Sequence, residues 1–268
     1  MSSQAPSRRR ARHQETRLWR AQVARTARIT PRMARVTVHD EALADFGGGG
    51  TDQHVLLYLY EPGVTLPEPL TMTTARGALS SVRPRMRSYT VRRHDPVAGE
   101  IDFDFVLHDH AGPASEWARE ASPGDELIFV GPSPAYRPDL AADAHLLVGD
   151  ETALPAISAI LEELPAEASV RAFIEVECAE EEQHLTTAAT AEITWLRRNG
   201  QQTGANTLLA GALAEASLPE GTLDVWAAGE RAAMRDVRHH LVTERGLDRR
   251  RVRPSTYWRA GEAASTSG

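Results

Sequence analysis

Arg87, Tyr89 and Thr90 stand close together in the run Arg85-Met86-Arg87-Ser88-Tyr89-Thr90-Val91-Arg92. In a strand, alternate side chains share a face, so Arg87 and Tyr89 lie together while Ser88 and Thr90 take the other side. A guanidinium offers a planar fork of donors to a phosphate. A tyrosine two residues on can lie flat against a ring, and Thr90 can offer its hydroxyl or backbone amide to a heteroatom of that ring. A phosphate-bearing, ring-bearing cofactor such as a flavin nucleotide needs these groups. The same residues also suit an exposed strand with scattered arginines, and a motif this short does not separate the two readings.

The next segment, residues 101–118, adds to the first reading. It alternates apolar and polar residues through Ile101-Asp102-Phe103-Asp104-Phe105-Val106, as a strand does, and is then broken by Gly112-Pro113. Ala114-Ser115-Glu116-Trp117-Ala118 reads as the first turn of a helix. The free amides of such a turn suit an anion, and a pyrophosphate is its natural occupant. His108-Asp109-His110 resembles a metal cluster, but the set is incomplete and no protein-bound metal is expected.

Taken in order, Arg-x-Tyr-Thr-Val-Arg (87–92), Asp-Phe-Val-Leu-His (104–108), Gly-Pro-Ala-Ser-x-Trp-Ala (112–118), Pro-Gly-Asp (123–125) and Gly-Pro (131–132) resemble the siderophore-interacting proteins. These are FAD-containing ferric-siderophore reductases of the ferredoxin-reductase superfamily. The resemblance continues through Gly149-Asp150-Glu151-Thr152-Ala153-Leu154-Pro155, Trp226-Ala227-Ala228-Gly229-Glu230 and Tyr257-Trp258-Arg259-Ala260-Gly261, and so covers residues 17–262. It implies that Arg87 contacts flavin phosphate, Tyr89 stacks on or beside the isoalloxazine and Thr90 lies near its reactive edge. Val106 and His108 would flank the pyrophosphate, with Ala114, Ser115 and Trp117 completing that side. Asp150, Glu151 and Thr152 match the family's nicotinamide-nucleotide loop, and Gly229 and Glu230 suggest a further contact there. The loop lacks the glycine-rich dinucleotide fingerprint, and helix capping by Asp150 or Thr152 would also explain it.

By the same resemblance NADPH or NADH delivers a hydride to FAD, which passes electrons singly to siderophore-bound Fe(III). Arg198 matches a frequent family arginine and is expected to favour NADPH by meeting its 2′-phosphate, although Glu177, Glu180, Glu181 and Glu182 crowd the preceding loop. One departure bears on the substrate. Where related chains carry lysine in Asp-Gln-His-Val-Lys, this chain has Leu56, leaving Arg137 or Arg259 to supply charge to an anionic chelate. Reduction of a quinone, free flavin or redox protein, and siderophore binding without redox activity, stay open as alternatives.

The elements that must position these groups divide at about residue 139. Strand patterns at 19–25, 33–38, 54–60 and 85–91, with an irregular, proline-rich excursion over 61–84, predict an antiparallel FAD-binding β-barrel over 17–138. From 139 to 262, strands at 145–150, 169–176, 192–196, 223–228 and 252–258 alternate with helices at 152–164, 208–216 and 231–244. That alternation predicts a doubly wound, mostly parallel α/β domain binding NAD(P)H. Residues 1–16 and 263–268 read as tails, the first of them basic.

Composition narrows the classes. The 268 residues are 41% hydrophobic with a net charge of −7, which disfavours nucleic acid as the main partner. One cysteine, Cys178, excludes an internal disulfide and a cysteine-cluster metal site. All thirty basic residues are arginine, so no Schiff-base lysine exists. With no apolar run long enough to span a membrane and no secretory leader pattern, a cytoplasmic monomer taking a ferric siderophore as its small-molecule partner is expected.

Overall fold

A computed structural model describes residues 16–261 apart from 48–49, 62, 79–81, 109–111, 134–135 and 202–207. The terminal tails, apart from residue 16, and the Asp109-His110 pair therefore lie outside the described residues. Two sheets carry the chain. The first is antiparallel, with strands β1 (Arg17–Thr30), β2 (Met33–His39), β3 (His54–Leu59), β4 (Arg85–Thr90), β5 (Arg93–Asp95), β6 (Glu100–Val106) and β7 (Glu126–Gly131) in the order β4-β3-β7-β1-β2-β6-β5. Trp19, Ala21 and Val23 of β1 point inward while Arg20 and Gln22 point out, the period-2 signature of a sheet with one wet face. The sheet curls around a core in which the Phe46 ring lies 5.4 Å from Trp19 and 6.2 Å from Phe129. Beyond β4 the chain turns back onto β6, Arg92 N donating to Asp102 O at 2.9 Å.

The expected irregular stretch over 61–84 contains a helix, α1 (Met72–Ala78). Its start is fixed by Thr71 and Thr74: each backbone amide donates to the other's hydroxyl, at 2.8 and 3.1 Å. The surrounding prolines masked this capping pattern. Helix α2 (Pro113–Glu120) follows β6, as expected.

The second sheet is parallel throughout, in the order β10-β9-β8-β11-β12: β8 (Ala144–Asp150), β9 (Ser169–Val176), β10 (Thr190–Arg197), β11 (Leu223–Glu230) and β12 (Ser255–Trp258). Every residue of β8 is buried, as a central strand covered on both faces must be. Helix α3 (Leu154–Glu163) covers one face through Ile157, Ile160 and Leu161, while α4 (Leu208–Glu215) and α5 (Arg231–His239) cover the other through Leu213 and Val237. The helix expected over 231–244 changes to a π-helical turn at His240–Glu244. No helix among the described residues is long and apolar enough to cross a membrane.

The two sheets are tied by carboxylates. Glu181 accepts from Thr30 Oγ1 and from Arg32 N (2.9 Å). Asp224 accepts from Tyr136 OH and Asp139 N (2.8 Å), and Glu162 of α3 takes a two-pronged bond from Arg92 at 2.6 and 3.0 Å. Met33 and Val106 of the first sheet join the apolar cluster under α3.

Candidate functional site

Strand β4 pairs with β3 so that Arg87 stands opposite Leu57, Tyr89 opposite Val55, Ser88 opposite Leu56 and Thr90 opposite His54. Side chains opposite one another share a face. Arg87 and Tyr89 therefore belong to the side of the buried Leu57 and Val55. Leu56 lies on the other face with Ser88, Thr90 and, across β7, Val130. The pleat thus separates Leu56 from Arg87 and Tyr89.

Arg87 is half-buried and donates to the Met86 carbonyl at 2.7 Å; among the described residues it has no carboxylate partner. Burial lowers its pKa, with Tyr89 opposing and Arg85 adding to the effect. The Tyr89 ring packs on Phe105 with centroids 4.4 Å apart, and Phe105 in turn meets Trp117 at 5.6 Å. Burial pushes the Tyr89 hydroxyl well above its ordinary pKa, with Arg87 opposing. This aromatic ladder carries β4 across β6 to α2.

Where β6 ends, His108 N donates to Ser115 Oγ at 3.2 Å and Arg119 donates to His108 O at 2.5 Å. Ala114 and Ser115 are buried. The N-cap of α2 is Gly112, which brings no side chain to the first amides, and a Cβ there would meet open space. His108 is exposed and lines the cleft between the sheets. Its pKa is lowered, first by the surrounding protein and then by Arg198, Arg32 and Arg119, against the opposing pull of Asp150.

The facing wall is the carboxyl edge of the parallel sheet. Asp150 ends β8 with both oxygens engaged. Oδ1 accepts from Thr152 N (2.9 Å) and Thr152 Oγ1 (2.5 Å), and Oδ2 from Glu230 N (3.0 Å) and Trp258 Nε1 (2.8 Å). Burial and the neighbouring Glu151 raise its pKa; the bonds from Thr152 and Trp258 oppose the rise. Two glycines permit this packing. A Cβ on Gly149 would come within 2.5 Å of Ala153 Cβ. Gly229 sits at φ +154 with Asp150 Oδ2 2.8 Å from where its Cβ would be. Glu230 caps α5, accepting from Ala232 N and from Ala233 N at 3.0 Å.

Arg198 departs from the expectation of a cation free to meet a phosphate. It is 2% exposed and bonds both oxygens of Glu151 at 2.6 and 2.7 Å, Glu175 at 3.1 Å and Glu177 at 3.2 Å. Burial alone would lower its pKa, but the bonds to Glu151 and Glu175 outweigh it and the pKa rises. Arg198, Glu151, Arg32, Val106, His108 and Leu154 line a cavity of about 30 Å³ in the cleft, room enough for water.

Asp52, Tyr257 and Trp258 complete the junction, and sequence alone did not single them out as site residues. Asp52, at φ +54, accepts from Trp226 Nε1 (3.0 Å) and from Tyr257 OH, with Thr90 near enough to lower the Tyr257 pKa against the rise from burial. Burial raises the Asp52 pKa, and the two donors oppose the rise. The signal was present in the sequence: Asp52 precedes the His54 strand, and Tyr257-Trp258 closes the chain's last strand. Their meeting is a product of topology. Arg259 is exposed just beyond β12. Arg137 is exposed too, and its charge is felt by Glu163 at the far end of α3. Ten residues of helix separate that end from the Asp150 loop, about 15 Å. Among the described residues no group of three His, Cys, Asp or Glu side chains is placed to hold a metal.

A curled antiparallel sheet followed by a parallel, doubly wound one, meeting at this cleft, defines a ferredoxin-reductase-like protein. Phthalate dioxygenase reductase shares that fold at 15% identity and a TM-score of 0.64, over 92% of this chain and 70% of its own. The chain belongs to the siderophore-interacting protein family: residues 22–136 match the model of the siderophore-interacting FAD-binding domain and residues 142–261 that of the siderophore-interacting protein. The crystal structure of a siderophore utilization protein from T. fusca matches with a TM-score of 0.81 and 39% identity, covering 94% of this chain and 96% of that one. The ferric vibriobactin reductase ViuB of Vibrio cholerae is 30% identical over 87% of this chain and 86% of its own length. The NADPH-dependent ferric-chelate reductase of Escherichia coli is 29% identical over 89% and 91%.

Proposed function

We propose that this chain is a reductase that takes electrons from NAD(P)H through FAD to Fe(III) held by a siderophore, releasing Fe(II). The observation that carries the reading is Arg87, a half-buried cation with no carboxylate partner among the described residues. It stands beside Tyr89 on the sheet that leads, through Phe105 and Trp117, to the glycine-capped start of α2. A cation half-removed from water is costly unless an anion completes it. A phosphate-bearing cofactor fits that arrangement. Relatives named ferric-vibriobactin and ferric-chelate reductases supply the reaction class.

Residues 17–138 would hold FAD, with Arg87 and the α2 amides on its phosphates, Val106, His108, Ala114, Ser115 and Trp117 walling that side, and Tyr89 and Thr90 at its ring. Residues 139–262 would hold the dinucleotide along Asp150, Glu151, Thr152, Gly229 and Glu230. When bound, FAD accepts a hydride and gives up electrons one at a time. The chain's own part is to hold, orient and shield: buried Thr90 stands at the ring, and Asp52 holds the Tyr257 hydroxyl in place nearby. The iron needs no protein ligand, because Fe(II) is held less tightly than Fe(III) by hard oxygen donors. A cytoplasmic monomer fits this role.

The test is direct. Purified protein should be yellow, its flavin absorbance should bleach anaerobically with NADH or NADPH, and a ferric siderophore should restore the colour while a ferrous chelator traps Fe(II). Bleaching with no reoxidation by any ferric siderophore would exclude the proposed acceptor.

Leu56 shapes the choice of chelate. In place of the family's lysine it makes its face less cationic, so anionic ferric catecholates should bind poorly and neutral or cationic hydroxamate complexes should lose less. Leu56→Lys is expected to lower the KM for a ferric catecholate several-fold more than for a ferric hydroxamate at low salt, on the scale of an exposed charge pair of up to about 1 kcal/mol. The difference should shrink as salt rises. Equal effects on both chelates, with fold and flavin intact, would remove position 56 from the substrate site.

A further inference from the structure

We infer that the dinucleotide selected here is NADH, and that Glu177 sets the choice. The inference rests on the docking of a nicotinamide dinucleotide along the carboxyl edge of the parallel sheet. In doubly wound dinucleotide-binding sheets with the glycine fingerprint, a carboxylate past the second strand accepts from the adenosine ribose 2′-hydroxyl, and an arginine accommodates a 2′-phosphate; the same chemistry applies at the matching place here. Strand β9 follows β8 in the chain and lies beside it in the sheet, and Glu177 is the residue just after β9. Its carboxylate accepts from Arg198 and from Gly200 N (3.0 Å), and a carboxylate has further lone pairs to offer. Of the three carboxylates around Arg198 it is the most exposed, at 18% against 13% for Glu151 and 4% for Glu175.

The nearby arginines are committed. Arg198 is spent on Glu151, Glu175 and Glu177, and turning it toward a phosphate would break those ion pairs in a largely buried site. Arg197 points to Glu182 at 2.6 Å. Arg32, reaching over from the first sheet, is itself drawn to Glu177 at 4.0 Å. A 2′-phosphate would thus meet an excess of negative charge, whereas a ribose diol would meet an acceptor.

Two measurements test this. Anaerobic bleaching of the flavin-loaded protein should be at least about tenfold more efficient with NADH than with NADPH, a size set by the cost of placing like charges together. Calorimetry should show 5′-AMP binding about tenfold or more tighter than 2′,5′-ADP, by the same repulsion. Glu177→Gln keeps the shape and leaves Arg198 its bonds to Glu151 and Glu175; it should narrow both ratios several-fold, chiefly by improving the 2′-phosphorylated ligand. Equal or better use of NADPH overturns the inference, as does a Glu177→Gln variant whose ratios match the parent. No bleaching with either dinucleotide, together with no binding of either nucleotide, overturns the docking itself and the inference with it.

Discussion

Arg198→Ala is expected to destabilise the fold by about 3–5 kcal/mol, the range for removing one partner from a buried ion pair. The reason is the ratio of charges: one guanidinium, 2% exposed, serves Glu151, Glu175 and Glu177, and its loss removes the cation shared by three carboxylates in a poorly solvated site. In a chain of this size the loss corresponds to a fall in Tm on the order of 10 °C. The deficit should narrow as the pH is lowered, because protons then neutralise what the guanidinium no longer does. Arg197→Ala is the control. Its bond to Glu182 is exposed, and its melting curve should stay close to the parent's. Matching curves for the two variants would mean that the buried cluster is no stronger than a surface pair.

Arg87→Ala should cost FAD affinity tenfold or more while leaving the melting curve of the flavin-free protein almost unmoved. A charge-assisted bond to phosphate contributes roughly 1.5–3 kcal/mol. The second half of the expectation comes from the structure. Among the described residues Arg87 makes no ion pair to lose, and the partial desolvation that lowers its pKa is relieved when it is removed. Fluorescence titration of the apoprotein with FAD gives the affinity and thermal melts give the stability. A variant that binds FAD as tightly as the parent would place the phosphate elsewhere.

Much of this architecture was legible in the sequence because periodicity reports burial. The alternation in β1 and the apolar centre Leu146-Leu147-Val148 of β8 are direct consequences of one wet face and of none. Arg87, Tyr89 and Trp117 were legible as candidates, and the Phe105 ring that links them was visible only as another core aromatic. What stayed hidden was set by tertiary contact. Helix α1 depended on a reciprocal Thr71–Thr74 cap inside a proline-rich stretch. Arg198 read as a cation near an anion site, since nothing in its sequence neighbours announces that Glu151, 47 residues away, occupies both of its terminal nitrogens. The opposite facing of Leu56 and Arg87 likewise needed the register of β3 on β4.

The carboxylate ties between the sheets bear on how anything enters the cleft. Asp224 fastens the linker to the amino end of β11, Glu162 holds Arg92 along α3, and Asp52 and Glu181 fasten the side facing the ligand edge. Ties on both flanks oppose a hinge swing of one sheet on the other. The parts held most lightly are small: the Glu151 loop on Arg198, and the four-residue edge strand β12, which among the described residues pairs with β11 and brings Tyr257 to Asp52 and Trp258 to Asp150. Local openings draw on the least stable segments of a fold. Entry to the cleft would then be governed by a strand edge and a salt link, with the ties between the sheets opposing larger movement.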